Sequence, residues 1–216
     1  MKNVLKRQYR IARYVVYRET IVEPADHLWT FIGTFIAIAS IGLLQQSGFT
    51  QQDSVFLIGS FGASCVLLFG ATQSPLAQPR NLVGGHLLAS VIGVAIHKLI
   101  PDQLWLSSAL AVSLSIVVMQ ITKTMHPPAG ATALIANIGS EKITNLGFSY
   151  TVTPVMTGVA ILLVIALLVN NIPSRRSYPV RTLPRKRPGS SGPHRRHLPT
   201  SRRSGQYPAA GDNQSI

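Results

Sequence analysis

KTMHPPAGATALIANI, Lys123 to Ile138, joins a basic residue, a titratable ring and two prolines to an apolar run too short for an ordinary membrane span. It follows directly on the apolar run Leu104 to Ile121. Whether it crosses a bilayer decides the architecture, because every other long apolar run crosses by composition alone.

The chain has 216 residues, 46% hydrophobic and 12% charged, with a formal net charge of +13. The charges are segregated. Residues 1–26 hold six Lys/Arg and three Asp/Glu, and residues 171–216 hold ten Lys/Arg and one Asp. Between them the charged side chains are Asp53, Arg80, Lys98, Asp102, Lys123, Glu141 and Lys142, all between or at the ends of apolar runs. A water-exposed domain of this size carries charge all over its surface, whereas a lipid-facing surface excludes it. The sequence therefore describes an integral membrane protein, all-α, a polytopic transmembrane helical bundle.

Five runs have the length of a span: Leu28 to Leu44, Ser54 to Ala71, Leu82 to Ile100, Leu104 to Ile121 and Val152 to Val169. Five crossings would put one of the two basic ends outside, against the preference of Lys and Arg for the cytoplasmic side. If His126 to Ile138 also crosses, tilted or shortened, the count is six and both termini are cytoplasmic. Six divides into three plus three, and an odd repeat inverts its partner in the membrane. A weak echo between GASCVLL from Gly62 and GATALIA from Gly130 fits a 3+3 inverted repeat with discontinuous helices. Close packing through small residues explains the same pattern.

Pro127 biases His126 away from helical geometry, and proline is tolerated in a first helical turn. A helix starting there is expected to leave the amides of Ala129, Gly130 and Ala131 open to a small anion, with the helix dipole behind them. Gly62, Ala63, Ser64 and Thr132 from the two echoing segments, and Arg80, His86, Lys123 and His126, complete the expected substrate-binding set. Each has a plainer role. His126 can cap a helix, Lys123 can anchor at the headgroups, and His86 can make a structural hydrogen bond. No local spacing of metal ligands occurs, Cys65 is the only cysteine, and carboxylates are too few for acid–base work, so no cofactor, no metal and no enzymatic activity are expected.

GSFGASCVLLFGATQSPLAQPRNLVGGHLLASVIGV, Gly59 to Val94, together with MHPPAGATALIA, Met125 to Ala136, resembles the HPP family of integral membrane proteins, named for its His-Pro-Pro motif. The resemblance extends from about Trp29 to Asn171 and includes the closing LLVNNIP. Family members are often described with four spans, which differs from the count of six. The resemblance implies membrane transport of a small inorganic monovalent anion, with nitrite the leading substrate by similarity to plastid and cyanobacterial members. An anion channel and a non-transporting scaffold or regulatory subunit are the other classes.

The domains follow: residues 1–26 as a basic segment able to lie on the membrane surface, 27–171 as the HPP-like transmembrane unit, and 172–216 as a disordered basic tail rich in Pro, Arg and Ser. Arginines recur to Arg18 without a cleavage-site pattern, so no signal peptide is expected. Membrane lipids are the expected partners besides the anion, a homo-oligomer is compatible, and no specific nucleic-acid partner is expected. The expected location is a bacterial inner or plasma membrane, or an equivalent organellar one.

Overall fold

The computed structural model describes residues 24–46 and 59–180. The basic segment before Pro24, most of the QQSGFTQQD loop and the basic residues from 181 onward lie outside the described residues.

Helix α1, Pro24–Gln46, opens with a proline that lacks the donor a first turn cannot use, and with Asp26 facing the positive end of the dipole. At 23 residues it is roughly 35 Å long, enough for a hydrocarbon layer of about 30 Å. Helix α2, Gly59–Cys65, widens into a π turn over Val66–Gly70. Ser74 then accepts from the Leu76 amide and starts the short 3-10 turn Pro75–Ala77. Helix α3, Pro79–Leu99, again begins on proline, and α4, Leu104–Thr122, follows after a short turn.

Lys123 ends α4 in the left-handed region, φ 56°, and the Thr124 amide reaches back to the Met119 carbonyl, which turns the chain sharply. His126 is extended because proline follows it, and α5 runs over Pro127–Ile138. After the one-turn α6, Glu141–Thr144, a π turn over Thr151–Met156 contains the break at Thr153 and Pro154 and leads into α7, Thr157–Val169.

Among the described residues, four helical stretches are long and apolar enough to cross a membrane: Pro24–Gln45, Pro79–Leu99, Leu104–Thr122 and Thr151–Val169. They expose large apolar side chains, among them Phe31 at 66%, Trp105 at 74% and Val152 at 65%, as lipid-facing helices do. The segment His126 to Ile138, expected to cross only if tilted or shortened, forms α5, whose 12 residues reach about 18 Å. Of the run Ser54 to Ala71, the described part is the helical stretch Gly59–Gly70. Six elements nevertheless alternate in direction. Arg80 at the start of α3 donates to the Thr122 carbonyl at the end of α4, and Asn81 donates to Met125 just before α5. Asn170 after α7 donates to Leu68 near the end of the α2 segment, and Arg176 pairs with Asp26 at the start of α1. The start of α1 and the end of α7 therefore lie at the same end of the bundle.

Two apolar groups hold it together. One joins α1, α2 and α7 through Ile41, Phe61, Leu68, Phe69, Val159 and Leu162. The other joins α3, α4 and α5 through Ala89, Ala111, Met119, Ala129 and Ala133. Small side chains suit the second group, since helices in lipid associate by close backbone approach more than by apolar burial.

The packed unit also extends past the boundary expected at Asn171. Arg176 donates to Asp26, Thr30 and the Phe69 carbonyl, and the buried Tyr178 hydroxyl donates to the Ala77 carbonyl at 2.8 Å. Truncation after Arg181 is expected to leave thermal stability in detergent unchanged. Tyr178→Phe is expected to cost about 1 kcal/mol through the Ala77 carbonyl left without its donor. Equal melting temperatures for Tyr178→Phe and the parent would contradict the assignment of these residues to the folded unit.

Candidate functional site

Five buried polar side chains gather where α2, α3 and α5 meet. Ser60 and Ser64 share one face of α2, four residues apart, and His86 sits two turns into α3. His126 precedes α5 and Thr132 lies in its second turn. All five are fully buried. Glycine makes this approach possible: a Cβ on Gly85 would stand 2.7 Å from the His126 Cβ and 3.0 Å from the Thr124 carbonyl oxygen. Gly84 is as tight against the Thr124 side chain, at 2.6 Å. The Gly-Gly-His sequence of α3 thus serves close contact with the His-Pro-Pro turn.

A continuous hydrogen-bonded chain results. His126 Nδ1 donates to the Leu76 carbonyl at 2.9 Å, and its Nε2 lies 3.0 Å from Ser64 Oγ. The same Ser64 Oγ lies 3.0 Å from His86 Nε2 and 2.9 Å from the Ser60 carbonyl. His86 Nδ1 is 2.8 Å from Thr132 Oγ1, which donates to Ser60 Oγ at 2.9 Å. The two imidazole centroids are 5.0 Å apart, and Phe61 closes the His86 side with an edge-on ring at 5.9 Å. Because Ser64 meets His126 while Ser60 meets Thr132, α2 and α5 run antiparallel across the site.

Of the residues expected to bind substrate, Ser64, His86, His126 and Thr132 are brought together. Ala129 is buried beside Gly85 rather than open. Gly62 and Ala63 are exposed, and a Cβ on Gly62 or on Gly130 would meet nothing within 4 Å. Ala131 is half-buried. Arg80 is exposed and occupied with the Thr122 carbonyl, and Lys123 is an exposed helix terminator.

The expected amide seat does not form. The first donors of α5 would be at His126, Pro127, Pro128 and Ala129. Both prolines lack N–H groups, and the Ala129 amide donates to the His126 carbonyl at 2.9 Å. By position, the amides of Gly130 and Ala131 belong to the internal ladder of the helix.

Ser60, the Leu76 carbonyl and Tyr150 were not expected. Ser60 was legible as the residue four before Ser64. Tyr150, whose hydroxyl donates to the Thr132 carbonyl at 3.1 Å, has no such signal. Among the described residues no group of three or more His, Cys, Asp or Glu is arranged to hold a metal ion.

A family model described as "HPP, transmembrane region" matches residues 19–179. Two transmembrane proteins of Dictyostelium discoideum are similar. One is 45% identical over 155 residues, 70% of this chain and 50% of that protein, and the other 43% identical over 155 residues, 70% of this chain and 54% of that protein. The chain spans about half the length of these curated relatives. No solved structure matches.

Proposed function

The chain belongs to the HPP transmembrane family, and from that premise we propose that it carries a small monovalent anion, nitrite first, along a route between α2 and α5. One observation carries this: two histidines and three hydroxyls, all fully buried, form one hydrogen-bonded group between the antiparallel helices α2 and α5. Burying such groups costs stability unless they are paired, and polar side chains at membrane depth mark solute and proton routes. Short helices meeting around polar groups are also how transporters with inverted repeats build a central site, and a 3+3 repeat is part of this proposal.

The ligands for the anion are then side chains, namely the N–H groups of His86 and His126 and the hydroxyls of Ser64 and Thr132. The end of the bundle carrying Arg80, Lys123, Arg175 and Arg176 faces the cytoplasm under this proposal, by the preference of basic residues for that side.

The test is uptake into liposomes holding the purified full chain, with nitrite, nitrate, formate and chloride compared. Saturable nitrite uptake above the protein-free rate is expected. Flux that is linear in concentration and indifferent to a proton gradient would replace a carrier by a channel. A protein-free rate for every solute would favour the scaffold.

A further inference from the structure

With Thr132 donating to Ser60, the hydrogen atoms of the buried chain do not add up when both histidines are neutral. The Leu76 carbonyl only accepts, so His126 Nδ1 carries a hydrogen. Thr132 donates to Ser60 Oγ, so the 2.8 Å contact between Thr132 and His86 Nδ1 needs the ring to be the donor. A neutral imidazole has one N–H, and the partner of one nitrogen fixes the state of the other. Both Nε2 atoms are therefore bare, and both lie 3.0 Å from Ser64 Oγ. Ser64 has a single hydrogen and three acceptors around it: the two Nε2 atoms and the Ser60 carbonyl. At least one Nε2 then faces the hydroxyl oxygen lone pair to lone pair.

One added proton resolves the conflict. We propose that the bridge from His126 Nε2 through Ser64 Oγ to His86 Nε2 is a binding site for a single proton, which Ser64 passes between the two rings. This rests on the transport reading and deepens it, by giving the anion a coupling ion at the same site. In the loaded state His126 Nε2–H donates to Ser64 Oγ, and Ser64 Oγ–H donates to His86 Nε2. The transfer breaks the His126 N–H bond and forms a Ser64 O–H bond, while the original Ser64 O–H bond breaks and a His86 N–H bond forms. The positive charge moves from one ring to the other, and the reverse step restores it.

The hydrogen bonds of both rings go only to Ser64, Thr132 and the Leu76 carbonyl, with no carboxylate among them. The other titratable or charged groups on the packed elements are Asp26 and His27 at the start of α1, Cys65 on α2, Arg80, His97 and Lys98 on α3, Lys123 after α4, Glu141 and Lys142 on α6, and Tyr150. Cys65 is buried among apolar side chains, Arg80 is held by the Thr122 carbonyl, and Tyr150 donates to the Thr132 carbonyl. His97 and Lys98 lie in the last turn of α3, and Lys123 is exposed.

The test is histidine NMR on the full chain with labelled imidazoles, in phosphatidylcholine nanodiscs without any transported solute, from about pH 8.5 to about pH 4.5. His86→Gln and His126→Gln assign the signals. The expected result is uptake of one proton by the pair, with both Nδ1 atoms keeping their hydrogens and both Nε2 signals moving together. Ser64→Ala is expected to uncouple the two signals and to slow proton-driven uptake about a hundredfold. A His86 that keeps one hydrogen, on Nε2, at every pH would overturn the proposal, because a neutral chain running from Ser60 through Thr132 would then satisfy every group. Two rings titrating independently in the parent would also overturn it. Since the spectra involve no solute, a proton site without nitrite flux would defeat the transport reading alone. Saturable nitrite flux with His86 fixed in the Nε2–H form would defeat this one alone.

Discussion

Gly85→Val is expected to abolish uptake and to lower the thermal stability of the inserted protein more than the same change at any exposed glycine of α2. The Cβ would fall 2.7 Å from the His126 Cβ and 3.0 Å from the Thr124 carbonyl. Neither is the far end of a flexible side chain. Relief therefore requires the His-Pro-Pro turn to move away from α3, which pulls His126 out of reach of Ser64. Overpacking of this kind typically costs about 1–3 kcal/mol, and two methyl groups on Cβ leave few rotamers to escape into. Gly62→Val is the control, since its Cβ meets nothing within 4 Å. Circular dichroism melts in detergent and uptake in liposomes at matched protein density check both. Wild-type melting and flux in Gly85→Val would mean that α3 and α5 do not pack as described.

The spans were legible in the sequence because lipid imposes a simple rule, apolar runs of fixed length with charge at their ends, and Leu104 to Ile121 agrees with α4 to within one residue. The polar residues that converge were legible as well, since Ser64, His86, His126 and Thr132 stand out against apolar neighbours. The faces of the short helices were not. Gly62, Gly85 and Gly130 look alike in the sequence, yet only Gly85 is filled by a neighbour. What distinguishes them is tertiary contact with the chain segment at residues 124–129, some forty positions further on. Reach was legible only in part: His126 to Ile138 is already short in the sequence, whereas the end of the α2 segment and the start of α5 are set by the turn after Gly70 and by Pro127. The absent anion seat is a different case, since two adjacent prolines already remove two of the first four donors before any coordinates are known.

His126→Ala is expected to remove nearly all transport, while Gly130→Val leaves it within about twofold of the parent, and the contrast decides what kind of site this is. The imidazole is the one group linking the Leu76 carbonyl to Ser64, at 2.9 Å and 3.0 Å. Its loss leaves a buried carbonyl without that donor and the Ser64–His86 pair without its second ring. One lost buried partner costs about 1–3 kcal/mol, which corresponds to roughly tenfold or more in binding, and loss of the bridge to His86 adds to that. Gly130 has open space where its Cβ would go, and its amide lies within the helical ladder, so a branched side chain there blocks nothing that the route uses. Lys123→Ala falls between the two, because an exposed terminator with φ 56° influences the site only through local charge and the shape of the turn. Uptake of nitrite at matched insertion separates the cases. If Gly130→Val silenced the protein with normal insertion while His126→Ala did not, the anion would have to be held by the start of α5 after all, and the side chains between α2 and α3 would be structural.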